Sequence, residues 1–316
     1  MNAWKKCLLV SVLLAAAPAT ALAADTVKIV VPFAAGGPVD MVGRVLQPGL
    51  AAALNKTVII DNRGGVGGTI GAGFVAKSAP DGLTLLLASS SFVMAAGTVA
   101  NIPYDPRKEL EPIVMVGEVQ TLLVTRNNLE VTSVADLIAK GKAGAKYSYG
   151  SSGIGSTMHI GVEMLNSAYG THFTHVPYRG AGPALTDLMA GTIDFLNADV
   201  PVLAPYVKDN RLKALVIFDT KRSPKLPNVP SNIEAGVPQL QMTNWYGIFA
   251  PAGTPPAVRA QLESAILGVA NSPDVSSKLS EAGMSKPLNT AAFQARVNQD
   301  FERWIPFIKK AGIHAD

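Results

Sequence analysis

Three glycine-rich loops concentrate the residues of this chain that could do chemistry. They read Phe33-Ala34-Ala35-Gly36-Gly37-Pro38, Gly64-Gly65-Val66-Gly67-Gly68-Thr69 and Gly150-Ser151-Ser152-Gly153-Ile154-Gly155-Ser156-Thr157. Each follows a strand-like run and opens a helix-like one. A helix start offers unpaired backbone N–H groups and partial positive charge, so it holds an anion without a cationic side chain. Gly36 and Gly37 let the backbone approach a ligand, and Pro38 suits a first helical position. In the third loop Ser152 and Gly155 add a hydroxyl and close backbone approach. One of Ser156 and Thr157 serves as the helix cap, leaving the other for a ligand. Asp40 falls in a first helical turn, where it either caps amides or meets the ligand. Ser89 begins a hydroxyl cluster at a strand's carboxyl end, and Ala181 and Gly182 precede a helix near Pro183. Four or five charge-assisted bonds of about 1.5–3 kcal/mol each would support micromolar capture of an anion.

Catalytic signatures fare worse. Gly71-Ala72-Gly73-Phe74-Val75-Ala76 fits the dinucleotide pattern, but the next strand ends in Ser89-Ser90 where a ribose-binding carboxylate is needed. Gly150-Ser151-Ser152-Gly153 misses the nucleophile elbow, because its second glycine comes one residue early. His172 and His175 stand three apart in a turn-to-strand segment with no H-E-x-x-H spacing, which favours a surface or packing role over a metal site. Cys7 is the single cysteine, and no cofactor is expected.

The amino terminus sets the compartment. Lys5 and Lys6, an apolar run from Leu8 to Ala17, and Ala21-Leu22-Ala23 together form a secretory signal peptide over residues 1–23. The apolar run is shorter than the about 20 residues that a membrane span needs. Removing Lys5 and Lys6 from 27 basic residues leaves 25 against 23 acidic. No cationic cluster longer than a pair remains, which argues against a nucleic-acid partner.

Strand and helix patterns alternate through most of the chain, which predicts an α/β fold. Val27–Val31, Thr57–Ile60 and Leu83–Ala88 read as strands, and 38–54 and 69–79 as helices, with Pro48 predicting a kink or break. The pattern restarts at Val119–Val124 and continues to Phe218. A proline-rich link, Trp245–Ala250 as a strand, and helices over 256–270 and 291–310 follow. About 290 residues exceed one usual core. We therefore expect two lobes, 24–124 plus 221–316 and 125–220, each a mostly parallel sheet flanked by helices.

Nine short stretches, in order, resemble the Bug-type, TctC-like receptors of tripartite tricarboxylate transporters. They include Val31-Pro32-Phe33 through Pro38 to Asp40 and Arg44, Asn62 to Gly68, and Pro80-Asp81-Gly82-Leu83-Thr84. Ser151 to Ser156, Val176 to Gly180, Leu226 to Pro230, Trp245-Tyr246-Gly247 and Ala250 to Pro255 continue the series. The resemblance covers essentially the whole mature chain. It implies a two-lobed periplasmic binding protein, of the Venus-flytrap kind, that is no enzyme. It would close on a small carboxylate (di-, tri- or aromatic) and act as a monomer with the membrane subunits of a transporter; the alternatives are a periplasmic sensor and, behind it, a carboxylate-processing enzyme. The first and third loops would then grip carboxylates through amides, hydroxyls and waters. Where relatives often carry Phe-Asp, this chain has Asn197-Ala198 followed by Asp199. That departure makes Asp199 the stand-in candidate and favours a non-amino carboxylate.

Overall fold

The computed structural model describes residues 26–315; the expected signal peptide, residues 1–23, lies outside them. Short β-branched runs make the strands. Thr26–Val31 is β1, followed by helix α1 (Pro38–Leu54), β2 (Thr57–Asn62), α2 (Thr69–Ala76), β3 (Thr84–Ser89) and α3 (Ser91–Thr98). Strand β1 pairs in parallel with β2 on one side and β3 on the other. Helix α1 buries Val39, Val42, Leu46 and Leu50 along one stripe, the i, i+3, i+4 spacing of an amphipathic helix. Pro48 neither breaks nor ends it: the proline is on the exposed side, and the stripe anchors both halves of the helix.

A 17-residue strand, β4 (Leu110–Arg126), connects the two halves of the molecule. Sequence reading recovers only its end, because Glu111 and Pro112 do not look like strand. The structure accommodates Pro112 beside a register shift, the kind of irregularity that lets proline sit in a sheet. Beyond β4 come α4 (Val134–Lys142), β5 (Ser148–Ser151), α5 (Thr157–Tyr169), β6 (Thr174–Pro177), α6 (Ala181–Ala190), β7 (Phe195–Asp199), α7 (Val200–Lys208) and β8 (Leu212–Ile217). The chain closes with β9 (Thr243–Pro251), α8 (Pro256–Ala270), α9 (Pro273–Glu281) and α10 (Thr290–Lys310).

The sheet order is β2-β1-β3-β9-β4-β7-β5-β6, with β8 also on β4. The first part of β4, to Gln120, pairs with β9. From Thr121 onward it pairs with β7 and β8. One strand therefore belongs to two sheets, and the molecule has two lobes. The outer strands are parallel as expected, but β3–β9, β4–β9, β4–β7 and β4–β8 are antiparallel. The sheets are mixed because the strands nearest the crossing serve as connections between lobes, and no crossover helix sets their direction.

The last helices return to the first sheet. Leu262, Ile266 and Val269 of α8 pack in one cluster with Val39, Leu46 and Leu85. Phe293, Val297, Phe301, Trp304 and Ile308 form the buried stripe of α10 and pack with Phe92, Trp245 and Phe249. In the proline-rich link, Leu226 and Val229 pack with Leu122, Leu212 and Ile217 of the second sheet. Where the lobes meet, the Phe218 N–H donates to the Thr121 carbonyl at 2.9 Å and the Met242 N–H donates to the Phe218 carbonyl at 2.8 Å. Among the described residues no helix is long and apolar enough to cross a membrane.

Candidate functional site

A cleft of about 700 Å³ of non-atom space, its mouth included, lies between the lobes. The parallel strands β1, β3, β5 and β7 point their carboxyl ends toward it, as ligand sites in open α/β sheets do. From the first lobe Phe33 to Val39, Ser89, Ser91, Asn244 and Tyr246 line it. Ser152, Thr157, Met158, Gly180 to Pro183, Ala198 and Asp199 line it from the second.

Two helix N-termini open onto this space from opposite lobes. The N-cap of α1 is Gly37 and that of α6 is Gly180, and neither helix has a side-chain cap. Their first-turn amides are thus left for a ligand or water to satisfy. Helix α5 differs: Ser156 accepts from the His159 N–H at 3.3 Å, and the Thr157 N–H donates to Ser91 Oγ at 3.1 Å. That second bond crosses between the lobes. Among the lining residues the charged one is Asp199, so an anion here meets amides and hydroxyls in place of cations.

Asp199 is 4% exposed. Its carboxylate accepts from Asn244 Nδ2 at 3.0 and 3.1 Å and from the Tyr246 hydroxyl. Burial pushes its pKa up to about 6, although the Tyr246 and Asn244 bonds pull the other way. Tyr246 is held well above its ordinary value by burial and by the neighbouring Asp199. Asn244 and Tyr246 occupy alternate positions on β9 and so share one face. Asn244 carries no pattern signal in the sequence, but its i, i+2 spacing to Tyr246 in a strand was the available clue.

Ten of the thirteen residues singled out from the sequence line the cleft: Phe33, Ala35, Gly36, Gly37, Ser89, Ser152, Thr157, Ala181, Gly182 and Asp199. Asp40, Gly155 and Ser156 do not. Asp40 sits behind the wall, 1% exposed. It accepts from the Gly36 N–H at 2.9 Å, from Arg44 Nε at 2.7 Å and from Asn62 Nδ2 at 3.0 Å. Burial works against its charge, but these bonds outweigh that and lower its pKa. The carboxylate therefore braces the first loop, leaving the α1 amides free. Gly36 itself has φ +79°, a left-handed conformation that glycine adopts without strain.

Ser156 is fully buried in its capping role. Gly155 faces α3: a Cβ there would come within 2.2 Å of Thr98 Oγ1. The second glycine loop also leaves the cleft wall and packs against the third, since a Cβ on Gly67 would lie 2.5 Å from the Ile154 carbonyl oxygen. These positions are glycine because two lobes meet there.

Beneath the third loop, the rings of His159 and His175 stack with centroids 3.9 Å apart and 8° between planes. His175 Nε2 is 2.7 Å from Ser151 Oγ, and the Gly155 N–H donates to His159 Nδ1 at 3.2 Å. Burial lowers both pKa values, to about 3 for His159 and about 4 for His175. The rings are thus neutral at neutral pH. Ser151 resembles half of a serine–histidine pair, but it is fully buried and off the cleft wall. The pair supports the loop from below.

A family model described as the tripartite tricarboxylate transporter family receptor matches residues 42–313. Protein BugT of Bordetella pertussis is 33% identical over 304 residues, 93% of this chain and 93% of that protein. The structure of the periplasmic binding protein BugD superposes with a TM-score of 0.86 at 32% identity, covering 92% of this chain and 99% of the other. A protein of R. palustris solved with adipate gives 0.86 at 32% identity, over 92% and 98%. MatC from Rhodopseudomonas palustris, solved with bound malate, gives 0.83 at 31% identity, over 89% and 98%.

Proposed function

The chain belongs to the tripartite tricarboxylate transporter receptor family, TctC, and from that premise we propose that it is an extracytoplasmic receptor for a small organic carboxylate. The observation that carries this reading is the pair of helix N-termini, α1 and α6, without side-chain caps and opening onto one cleft from opposite lobes. A carboxylate between them satisfies orphan amides of both lobes at once. Its binding energy then favours the closed arrangement, which is what ligand-driven closure requires. Adipate and malate in the two related structures are ligands of that chemistry. In this reading the hinge lies where β4 passes from β9 to β7, near Gln120 and Thr121, and the closed receptor hands its ligand to transporter subunits in the membrane. The signal peptide expected over residues 1–23 supports a periplasmic location for the mature chain.

A thermal-shift screen of the mature chain against mono-, di- and tricarboxylates tests the reading. A ligand at about 100 times its Kd adds about 2.7 kcal/mol of stability. A shift confined to carboxylates supports the proposal. Loss of carboxylate uptake in a strain lacking the receptor then separates transport from sensing. If sugars or cations shift the protein and no carboxylate does, the anion grip is wrong.

A further inference from the structure

The amide grip borders a second space. Against Gly37 and Gly182 lies a chamber of about 1240 Å³ of non-atom space, its mouth included. Gly36, Gly37, Pro38, Ala181, Gly182 and Tyr246 line both spaces. The grip therefore borders both. The chamber wall is apolar: Met41 and Val45 come from α1, Leu185 from α6, and Val202 and Tyr206 from α7. Met41 is 57% exposed there. Among the described residues lining the chamber the charged one is Lys278, and its ammonium is paired with Asp274 at 2.8 Å.

We propose that this chamber is a second subsite, and that it takes the apolar body of a monocarboxylate, an aryl or alkyl acid whose anionic end rests at the N-termini of α1 and α6. The proposal rests on the carboxylate reading above and narrows its substrate class. Apolar surface facing water from both lobes gives an apolar ligand body a favourable transfer. A second carboxylate gains little in the chamber, because its cation is already paired. The shared border assigns the chamber to the ligand, with the grip as its doorway: an acid held there extends into the chamber without leaving the grip.

Calorimetric titration of the mature chain with straight-chain acids from acetate to decanoate, and with phenylalkanoates, tests this. Malate and adipate serve as short controls. Once the chain passes the doorway, affinity should rise about fourfold per buried methylene and then level off. A Met41→Glu, Val202→Glu double variant should erase that rise and leave malate affinity unchanged. Affinity flat along the wild-type series, with malate or adipate still binding, overturns the subsite and leaves the carboxylate reading intact. Absence of binding by every acid overturns both. The wild-type series decides the matter even if the double variant does not fold.

Discussion

Asp199 is the residue whose chemistry matters most for an anion receptor, because its own charge opposes the ligand. Its carboxyl pKa is raised from 3.8 to about 6 by burial. A carboxylate that needs a neutral Asp199 should therefore bind about tenfold more weakly at pH 7.5 than at 6.5. An Asp199→Asn variant should lose that dependence, and titrations at the two pH values check it. The same shift acts on the fold. A raised acid pKa means stability is greatest below 3.8 and declines as pH rises through 6, by about 3 kcal/mol at most. The histidine pair has the opposite sign. Folding lowers both of its pKa values below 6.5, so their stability is complete above 6.5. It is lost on acidification, at about 1.4 kcal/mol per histidine per pH unit. A His175→Gln variant should show a shallower loss of stability between pH 6.5 and 4.5 in urea unfolding. From the sequence, His175 was legible only as a surface or packing residue; its stacking on His159 needs β6 and α5 to be side by side, which no local pattern encodes.

Among the elements, the proposed grip puts function on the helix starts, which the strand ends place. Gly36 has φ +79° with nothing within 4 Å of a Cβ position. A Gly36→Ala variant therefore meets backbone strain without a clash, about 1–2 kcal/mol. Part of that strain should appear as about three- to tenfold weaker carboxylate binding with near-normal secondary structure, measured by calorimetry and circular dichroism. The α1 start was legible in advance because Gly-Gly-Pro punctuates a strand-to-helix junction; the Ser-Thr run pointed instead to α5, where Ser156 and Ser91 accept from first-turn amides, and the α6 start showed only Ala181-Gly182 ahead of Pro183. Other elements were hidden for physical reasons. Helix α3 begins in Ser91, read as the tail of a hydroxyl loop, and its helical character comes from packing on α10. Helix α9 buries only Val275 and Leu279, too thin a stripe to stand out among serines. The first part of β4 is masked by Pro112, whose tolerance depends on a bulge.

The whole molecule was legible as two α/β lobes with a returning helical tail, since alternation of periods survives any error at element ends. The mixed sheets were not, because strand direction near the crossing is set by tertiary path. The proposed hinge at β4, with the Phe218 and Met242 backbone bonded beside it, predicts restricted motion: closure should bend β4 near Gln120 and slide the lobes little. Small-angle scattering with and without a bound carboxylate should show a compaction that disappears when a disulfide joins the two lobes in the open state.

Strand β9 lies between β3 and β4 in the sheet, yet it starts at Thr243. During synthesis the first lobe therefore lacks its middle strand until most of the polypeptide exists. Strands β1, β2 and β3 have one another as partners early, but the other edge of β3 stays open until β9 arrives. Chain order alone therefore delays completion of the first sheet, which in the periplasmic reading keeps the chain open for export.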